Sequence, residues 1–440
     1  MWRRQLGAVA LSILALLLCR LPARLSAGED GSRRLTFSIL EDYDKDDPLA
    51  DVEQDFTLFH ELGITTWRGS FGWDAYEPSR GQYDFAWLDS FAALAERDGI
   101  TLRPYIGYTP AWAAAGGHDM DAWNDPPRNL DDWGAFVKAL ATTLRTHGNI
   151  ASYEIYNEEN AAQWWNGTPT QYADVLARAA DAIHEASPGT PVMLGGMVYP
   201  DAAWIHHVCG EAHDGNRFAI LPFHAYPETW TPPDVDLEHY LGPHFEDGFV
   251  SEADRECGRK PIWINETGFA TVGDKTERDQ AEWWMRAIAT FASTPRVEHI
   301  GVYEIKDLRA DSPAIGGAAN YHLGLMTASR KRKLAFQTVK DLAGFLGDEP
   351  IAIDDRVRLV GGDHGDLYAH ALRRGDGREL VVVWTKHASR TVDIEMPARF
   401  RAAVEHDLDG GTSPISKFDG RVLTQVKLDA GHPRAFELVP

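Results

Sequence analysis

Eight short apolar runs alternate with amphipathic segments between residues 35 and 305, and this alternation constrains the fold more than any other feature. Most of the runs are continuously apolar, which is typical of parallel strands covered by helices on both faces. The predicted strands are Leu35–Leu40, Ile64–Gly69, Thr101–Gly107, Ala151–Tyr156, Pro191–Gly196, Phe218–Phe223, Pro261–Ile264 and Glu298–Ile305. Eight strand–helix units predict an α/β fold, a (β/α)8 TIM barrel over residues 34–345. A doubly wound sheet is the alternative, but no glycine-rich phosphate loop follows the first run.

The pattern changes after residue 345, where short strand-like runs are separated by turns rich in glycine and aspartate. These runs are Leu367–Leu372, Glu379–Thr385, Thr391–Met396, Ala402–Leu408, Val422–Leu428 and Arg434–Val439. Because no helical period appears there, residues 346–440 are predicted to form a small antiparallel β-sandwich. We expect this sandwich to support the barrel, and a dedicated binding module is the alternative.

Residues 1–27 begin with basic residues, continue with an apolar run from Leu6 to Cys19 and end in a cleavage region of small residues. This pattern predicts a signal peptide, since the run is shorter than the ~20 residues of a membrane helix. An uncleaved membrane anchor, and so a membrane tether, is the alternative. The protein is therefore predicted to be secreted or periplasmic. Outside this segment the cysteines are Cys209 and Cys257, which could pair in an oxidising compartment or stay separate.

The chain is strongly acidic, with 43 Lys and Arg against 66 Asp and Glu and a net charge of −23. This charge argues against nucleic acid as a partner, because a phosphate backbone would be repelled. It also mildly favours a neutral ligand over a polyanion. Three cysteines exclude most zinc frameworks, and the adjacent His206 and His207 should point apart. We therefore predict neither a metal nor a cofactor.

Two glutamates follow predicted strands where a barrel places its functional groups, at the carboxyl ends of the strands. Glu158 follows the fourth run and Glu266 the seventh, each directly after an asparagine. Carboxylates on these two strands can face each other across the barrel mouth, as glycosidic-bond cleavage requires. Glu158, beside a second acid, is the predicted acid/base and Glu266 the predicted nucleophile. Asn157 is expected to bind the sugar 2-hydroxyl.

These motifs resemble those of the clan A glycoside hydrolases, whose acid/base follows an asparagine after the fourth strand. Within the clan, residues 108–112, 126–127, 153–158, 164–172 and 194–196 resemble family 39. The resemblance covers about residues 35–345 and implies a retaining mechanism on a carbohydrate substrate. The order of signal segment, barrel and sandwich is also similar to bacterial exopolysaccharide (biofilm) glycosidases. An exopolysaccharide endo-glycosidase and a β-xylosidase-like enzyme both fit it.

The resemblance implies further substrate-binding or positioning residues. Arg68, at the end of the second strand, matches an arginine that holds the nucleophile ionised. His224 and Tyr226 match a histidine–tyrosine pair after the sixth strand, with Tyr226 expected to bond Glu266. Clan members place a tryptophan sugar platform at the end of the eighth strand, where this chain has Tyr303 followed by Glu304. Both are expected to contact the sugar, and the alternative for Glu304 is that it only caps the following loop.

Loop tryptophans at a barrel mouth can stack on the apolar faces of sugar rings. Trp112, Trp164 and Trp165 lie in the loops after the third and fourth strands and are predicted to do so. Packing of the barrel rim is the alternative for these residues.

Three functions stay open at this point. The first is a retaining glycoside hydrolase, and the second is a transglycosylase that uses the same residues. The third is a non-catalytic carbohydrate-binding barrel. Sugar identity, linkage and the choice between internal and terminal cleavage are not determined by the sequence.

Overall fold

A computed structural model describes residues 32–116, 122–232, 235–242, 244–312, 317–347, 351–353, 357–360 and 365–440. The predicted signal segment, residues 1–27, lies outside these ranges. Within them, none of the helices combines the length and the apolar character that crossing a bilayer requires.

Eight parallel strands form one sheet in the order β5-β4-β3-β2-β1-β8-β7-β6. The strands are β1 (Thr36–Leu40), β2 (Thr66–Gly72), β3 (Thr101–Gly107), β4 (Tyr153–Ile155), β5 (Val192–Met193), β6 (Leu221–Ala225), β7 (Ile262–Thr267) and β8 (Val297–Tyr303). Parallel bridges from Met193 to Ile220 and from Met197 to Phe223 close the ring between β5 and β6. The predicted (β/α)8 barrel is confirmed, and the doubly wound sheet is excluded.

Amphipathic helices surround the strands and bury their apolar faces against the barrel. The helices are α1 (Leu49–Leu62), α2 (Trp73–Tyr76), α3 (Ala86–Arg97), α4 (Leu130–Leu144), α5 (Pro169–Ala186), α6 (Ala202–Ile205), α7 (Leu237–Tyr240), α8 (Ser251–Glu256), α9 (Glu277–Ser293) and α10 (Leu334–Leu346). Short 3₁₀ segments span Ala122–Asn124 and Gly317–His322, and π-helical turns span His206–Glu211 and Phe245–Val250.

Helix α5 begins at Pro169, directly after a threonine that caps it. Thr168 caps the helix by accepting a hydrogen bond from the Gln171 backbone, and the Gln171 side chain returns one to Thr168. Pro169 occupies the first helical position, where its missing N–H costs no hydrogen bond. The helix therefore starts at the end of the loop that carries Trp164 and Trp165.

Strand β7 contains one extra residue relative to β6. Phe223 pairs with Ile264, but the next residue, His224, pairs with Glu266 and skips Asn265. Successive strand residues normally point to opposite faces, and a bulge of this kind redirects a side chain. Both Asn265 and Glu266 consequently reach groups inside the barrel.

The C-terminal region consists of a three-stranded and a six-stranded antiparallel sheet. Its strands are β9 (Ile351–Ile353), β10 (Arg358–Val360), β11 (Leu367–Arg374), β12 (Glu379–Thr385), β13 (Arg390–Glu395), β14 (Ala402–His406), β15 (Thr412–Pro414), β16 (Val422–Leu428) and β17 (Arg434–Val439). The two sheets enclose a separate apolar core. On the other face of β12, Leu380, Val382 and Trp384 join the barrel core beside α9. This shared core fixes the sandwich to the barrel.

Cys209 and Cys257, which are 48 positions apart in sequence, form a disulfide with their Cα atoms 5.1 Å apart. The bridge ties the π-helical turn after α6 to the end of α8. A loop of this length is expected to stabilise the fold by about 4 kcal/mol through restriction of the unfolded chain.

We expect the double variant Cys209→Ala/Cys257→Ala to lose that stability in urea unfolding under non-reducing conditions. Wild type unfolded with a reductant is the matched control and should approach the variant. Equal unfolding midpoints for the variant and the oxidised wild type would contradict the pairing.

Candidate active site

Glu158 and Glu266 meet over the barrel, with His224 between them. Oxygens of the two carboxylates and a ring nitrogen of His224 all lie within 4.8 Å of one another. The His224 Nδ1 atom is 2.7 Å from Glu158 Oε1, and its Nε2 atom is 3.5 Å from Glu266 Oε2. We call Glu158 and Glu266 the carboxylate pair.

The chain turns sharply after β4 to present Glu158. Tyr156 and Glu158 both adopt left-handed backbone conformations, at φ 63° and 57°. Residues other than glycine rarely do so, and such positions cluster at functional sites. The Glu158 N–H donates to the Gly196 carbonyl at 2.9 Å, which fixes the turn to the segment after β5. A Cβ at Gly196 would collide with His224 Nε2, so glycine is required there.

Two donors hold the carboxylate of Glu266. Arg68 donates to its Oε2 at 2.7 Å, and the Tyr226 hydroxyl donates to its Oε1 at 2.6 Å. Arg68 also donates to Asn157 Oδ1 at 2.8 Å, and this hydrogen bond orients the Asn157 side chain. The structure therefore brings together Arg68, Asn157, His224 and Tyr226 around the carboxylate pair.

Glu154, in the middle of β4, was not among the predicted site residues. It accepts two hydrogen bonds from Arg68, at 2.9 and 2.7 Å, and two from the Asn265 amide, at 3.0 and 3.1 Å. A buried arginine needs such a partner, since an unpaired charge in the interior is costly. The signal available in the sequence was a lone acid inside an apolar strand.

The two members of the carboxylate pair differ in their charged and hydrogen-bonding partners. It raises the pKa of Glu158 to about 7, against the opposing effects of Arg68 and of the Trp164 indole. Burial also raises the pKa of Glu266, but Glu266 has the direct salt bridge to Arg68 and the Tyr226 hydrogen bond. A single proton shared by the pair is therefore held by Glu158.

His224 is fully buried, and burial lowers its pKa to about 4. At neutral pH the ring is uncharged and carries one N–H, which it can share with Glu158. The Tyr240 hydroxyl donates to the His224 carbonyl at 3.1 Å. The helix that carries Tyr240 is in turn held by the sandwich, because Trp384 donates to Glu238 at 2.8 Å and Lys386 pairs with the same carboxylate.

A series of aromatic side chains lines one side of the mouth. Tyr105, Tyr108, Trp123 and Trp164 meet edge to face, with successive ring centroids 6.1, 5.8 and 5.7 Å apart. Tyr108, Trp123 and Trp164 are partly exposed. Trp164 stands beside Glu158, so a sugar ring could stack along this wall next to the acid.

Two of the predicted sugar-stacking tryptophans have other contacts. Trp165 is 3 % exposed and packs edge-on against buried Tyr156, so it cannot stack on a sugar, and that prediction is corrected. Trp112 packs edge-on against Trp73 and donates its indole N–H to the Glu77 carbonyl at 2.9 Å. Both side chains fill the space between loop and helix, which is the alternative that the sequence left open.

The end of β8 also differs from its predicted role. Tyr303 is mostly buried and meets the ring of Tyr226 edge-on at 6.1 Å, so it lies near the carboxylate pair. Glu304 is 1 % exposed, and burial raises its pKa well above the usual range. A side chain enclosed to this extent cannot reach a sugar, and the prediction that Glu304 binds substrate is corrected.

Among the described residues, two clusters have the donor types of a metal site: the carboxylate pair with His224, and His206 with Glu252 and Glu256. In the first, Glu266 is already neutralised by the arginine of β2. In the second, Arg255 pairs with both glutamates. A protein cation thus pairs with Glu266 in the first cluster and with both carboxylates in the second.

Comparison with known proteins gives partial matches in sequence. A family model for glycosyl hydrolase 42, described as beta-galactosidase, matches residues 43–134. Endo-1,4-beta-xylanase A of Phanerodontia chrysosporium is 28% identical over 148 residues, which are 30% of this chain and 32% of that protein. Endo-1,4-beta-xylanase C of the same organism is 26% identical over 144 residues, 30% of this chain and 33% of that protein. The match thus spans about a third of the length of these relatives.

Solved structures match over nearly the whole chain. A family 39 glycoside hydrolase from Bacteroides cellulosilyticus WH2 has a TM-score of 0.71 at 18% identity, covering 92% of this chain and 81% of its own. The chain has the fold of these glycoside hydrolases. A GH30 endoxylanase from Clostridium papyrosolvens C71 has a TM-score of 0.64 at 15% identity, covering 93% of this chain and 97% of its own. A monomeric beta-xylosidase from Caulobacter crescentus CB15 has a TM-score of 0.63 at 17% identity, covering 92% of this chain and 96% of its own. The predicted likeness to family 39 is confirmed at the level of the fold.

Proposed function

We propose that the protein is a retaining glycoside hydrolase that cleaves O-glycosidic bonds through a covalent glycosyl-enzyme. The observation that supports this best is that one oxygen of Glu158 and one oxygen of Glu266 lie within 4.8 Å of each other. Retaining enzymes keep their carboxyl groups about 5 Å apart, whereas inverting enzymes leave about 6.5–9.5 Å for a water molecule. A non-catalytic carbohydrate-binding barrel would have no need of this pair.

Each residue then has a defined step. Glu158 gives its proton to the glycosidic oxygen while Glu266 attacks the anomeric carbon and the carbon–oxygen bond breaks. In the second step Glu158 takes a proton from water, the water oxygen bonds to the anomeric carbon, and Glu266 leaves as a carboxylate. In this proposal Asn157, whose side chain accepts a hydrogen bond from Arg68, holds the 2-hydroxyl of the sugar. A transglycosylase would use the same residues and replace the water by a sugar hydroxyl.

The substrate class is part of the proposal. The xylanase and xylosidase names among the relatives and structural neighbours point to a β-linked polysaccharide of neutral sugars. The acidic chain supports this, because a polyanion would be repelled. A neutral bacterial exopolysaccharide fits equally well. The N-terminal segment supports action outside the cytoplasm, either secreted or periplasmic.

Wild type should release oligosaccharides from at least one polysaccharide in a panel of xylans and neutral bacterial exopolysaccharides, detected by mass spectrometry. Proton NMR of the early products should show the anomer of the substrate before mutarotation mixes the two. The opposite anomer appearing first would contradict retention. Binding without product would favour the non-catalytic barrel, and products longer than the substrate would favour a transglycosylase.

The pKa of Glu158 predicts the basic limb of the pH profile. Because the free enzyme must carry the proton on Glu158, kcat/KM should be highest below pH about 7 and fall tenfold per pH unit above it. The acidic limb should report protonation of Glu266. In the variant Glu158→Gln the basic limb should disappear from the residual activity. A basic limb that persists in that variant would assign the titration to another group.

A further inference from the structure

Asp42 lies at the barrel mouth, two residues beyond the end of β1. Its Oδ1 atom accepts hydrogen bonds from the Tyr105 hydroxyl at 3.1 Å and from the Ser70 backbone N–H at 3.2 Å. These donors come from β2 and β3, so the carboxylate is fixed in position before any ligand arrives. The side chain is nevertheless exposed to solvent.

Asp42 is joined to the nucleophile through two side chains. The ring of Tyr105 lies beside the Arg68 guanidinium, 4.7 Å from its centre, and Arg68 pairs with Glu266. Asp42 also acts electrostatically on Tyr108 and Tyr303, which face the same mouth. The carboxylate therefore borders the space above Glu266, on the side of β1 to β3.

Asp42 has no cationic partner in the part of the chain that the structure describes. The nearby Arg68 is committed to Glu154 and Glu266, and Lys306 pairs with other carboxylates. Among the described residues, Asp42 Oδ2 accepts no hydrogen bond. A carboxylate oxygen that is fixed and exposed in a cleft is a strong acceptor for hydroxyl groups.

We propose that Asp42 binds the sugar that reacts with Glu266, by accepting hydrogen bonds from its 3- and 4-hydroxyls, and so determines which sugar the site selects. This inference rests on the proposed function. In the proposed function Asn157 binds the 2-hydroxyl, next to the anomeric carbon. The hydroxyls that remain on a pyranose ring point away from that carbon, toward the opposite side of the mouth. Oδ2 keeps two lone pairs free of the described residues and can therefore accept hydrogen bonds from two neighbouring hydroxyls.

The test compares Asp42→Asn with wild type on a matched set of substrates. The parent is the glycoside cleaved fastest among 2,4-dinitrophenyl glycosides of xylose, glucose, galactose and mannose and their β-1,4-linked disaccharides. The comparison substrates are analogues of this parent that lack the 3- or the 4-hydroxyl on the reacting sugar. Asp44→Asn, an exposed acid of the same loop, is the control variant.

We expect Asp42→Asn to lower kcat/KM on the parent by about 10- to 100-fold, as for loss of hydrogen bonds to a charged acceptor. On one of the deoxy analogues the variant should be within about threefold of wild type, because wild type has already lost the contact. Asp44→Asn should match wild type on every substrate, and thermal unfolding should show that both variants are folded. If Asp42→Asn lowered kcat/KM on the parent by less than threefold, the inference would be overturned. An equal fall in kcat/KM on the parent and on both analogues would also overturn it.

Failure of the proposed function would look different. In that case wild type itself would cleave no member of the panel, and a 2-deoxy-2-fluoro glycoside would not label Glu266. An active and labelled wild type with an unaffected Asp42→Asn variant would reject the role of Asp42 alone.

Discussion

Replacing Glu266 by glutamine is expected to lower kcat on an aryl glycoside by about 10⁵-fold. The amide nitrogen and oxygen are poor nucleophiles, so the covalent intermediate cannot form. Glutamine has nearly the size of glutamate, and its amide can still contact Arg68 and Tyr226. The loss should therefore appear in turnover rather than in folding.

Mass spectrometry provides the second readout for this variant. A 2-deoxy-2-fluoro glycoside with a good leaving group should add one sugar mass to wild type, on the peptide that contains Glu266. Glu266→Gln should stay unlabelled. Glu252→Gln, a glutamate of the exterior helix α8, is the matched control and should be labelled at the wild-type rate. Wild-type turnover by Glu266→Gln would remove the basis of the proposed mechanism.

The barrel could be predicted because its signal is repeated. A single apolar run of five or six residues is ambiguous, but eight of them spaced by helices leave few topologies. Strand β3 has the predicted bounds, and Glu158 and Glu266 lie at the carboxyl ends of their strands, as predicted. The bulge in β7 was not predictable, since nothing in the residues Asn265 and Glu266 shows that both point inward.

The side chains that support the carboxylate pair depend on register and were harder to infer. Glu154 faces Arg68 only because β3 lies between their strands and brings both side chains to the barrel interior. Trp164 and Trp165 are adjacent in an irregular loop that has no period to distinguish an exposed side chain from a buried one. Asp42 belongs to an acid-rich stretch, and the sequence does not mark which of its acids faces the mouth.

Replacing Glu158 by alanine should produce losses that depend on the leaving group. A sugar or alkyl alcohol needs protonation as it departs, and removal of the acid should cost about 10²- to 10⁴-fold in kcat/KM. With 2,4-dinitrophenolate, which leaves without a proton, kcat/KM should fall less than about tenfold. The second step still lacks its base, so kcat should fall, KM should fall with it, and the glycosyl-enzyme should accumulate.

Azide distinguishes this acid/base role from a structural one. Azide needs no base to attack the glycosyl-enzyme, so it should raise kcat of Glu158→Ala on the dinitrophenyl glycoside and yield a glycosyl azide of retained configuration. Wild type should not respond. Glu159 is the neighbouring acid, 2 % exposed, and burial raises its pKa to about 8. Glu159→Gln should keep the wild-type dependence on the leaving group and show no azide effect, because Glu159 is enclosed and cannot reach a glycosidic oxygen. The same azide response in Glu159→Gln, or equal losses of Glu158→Ala on both leaving groups, would transfer the acid role away from Glu158.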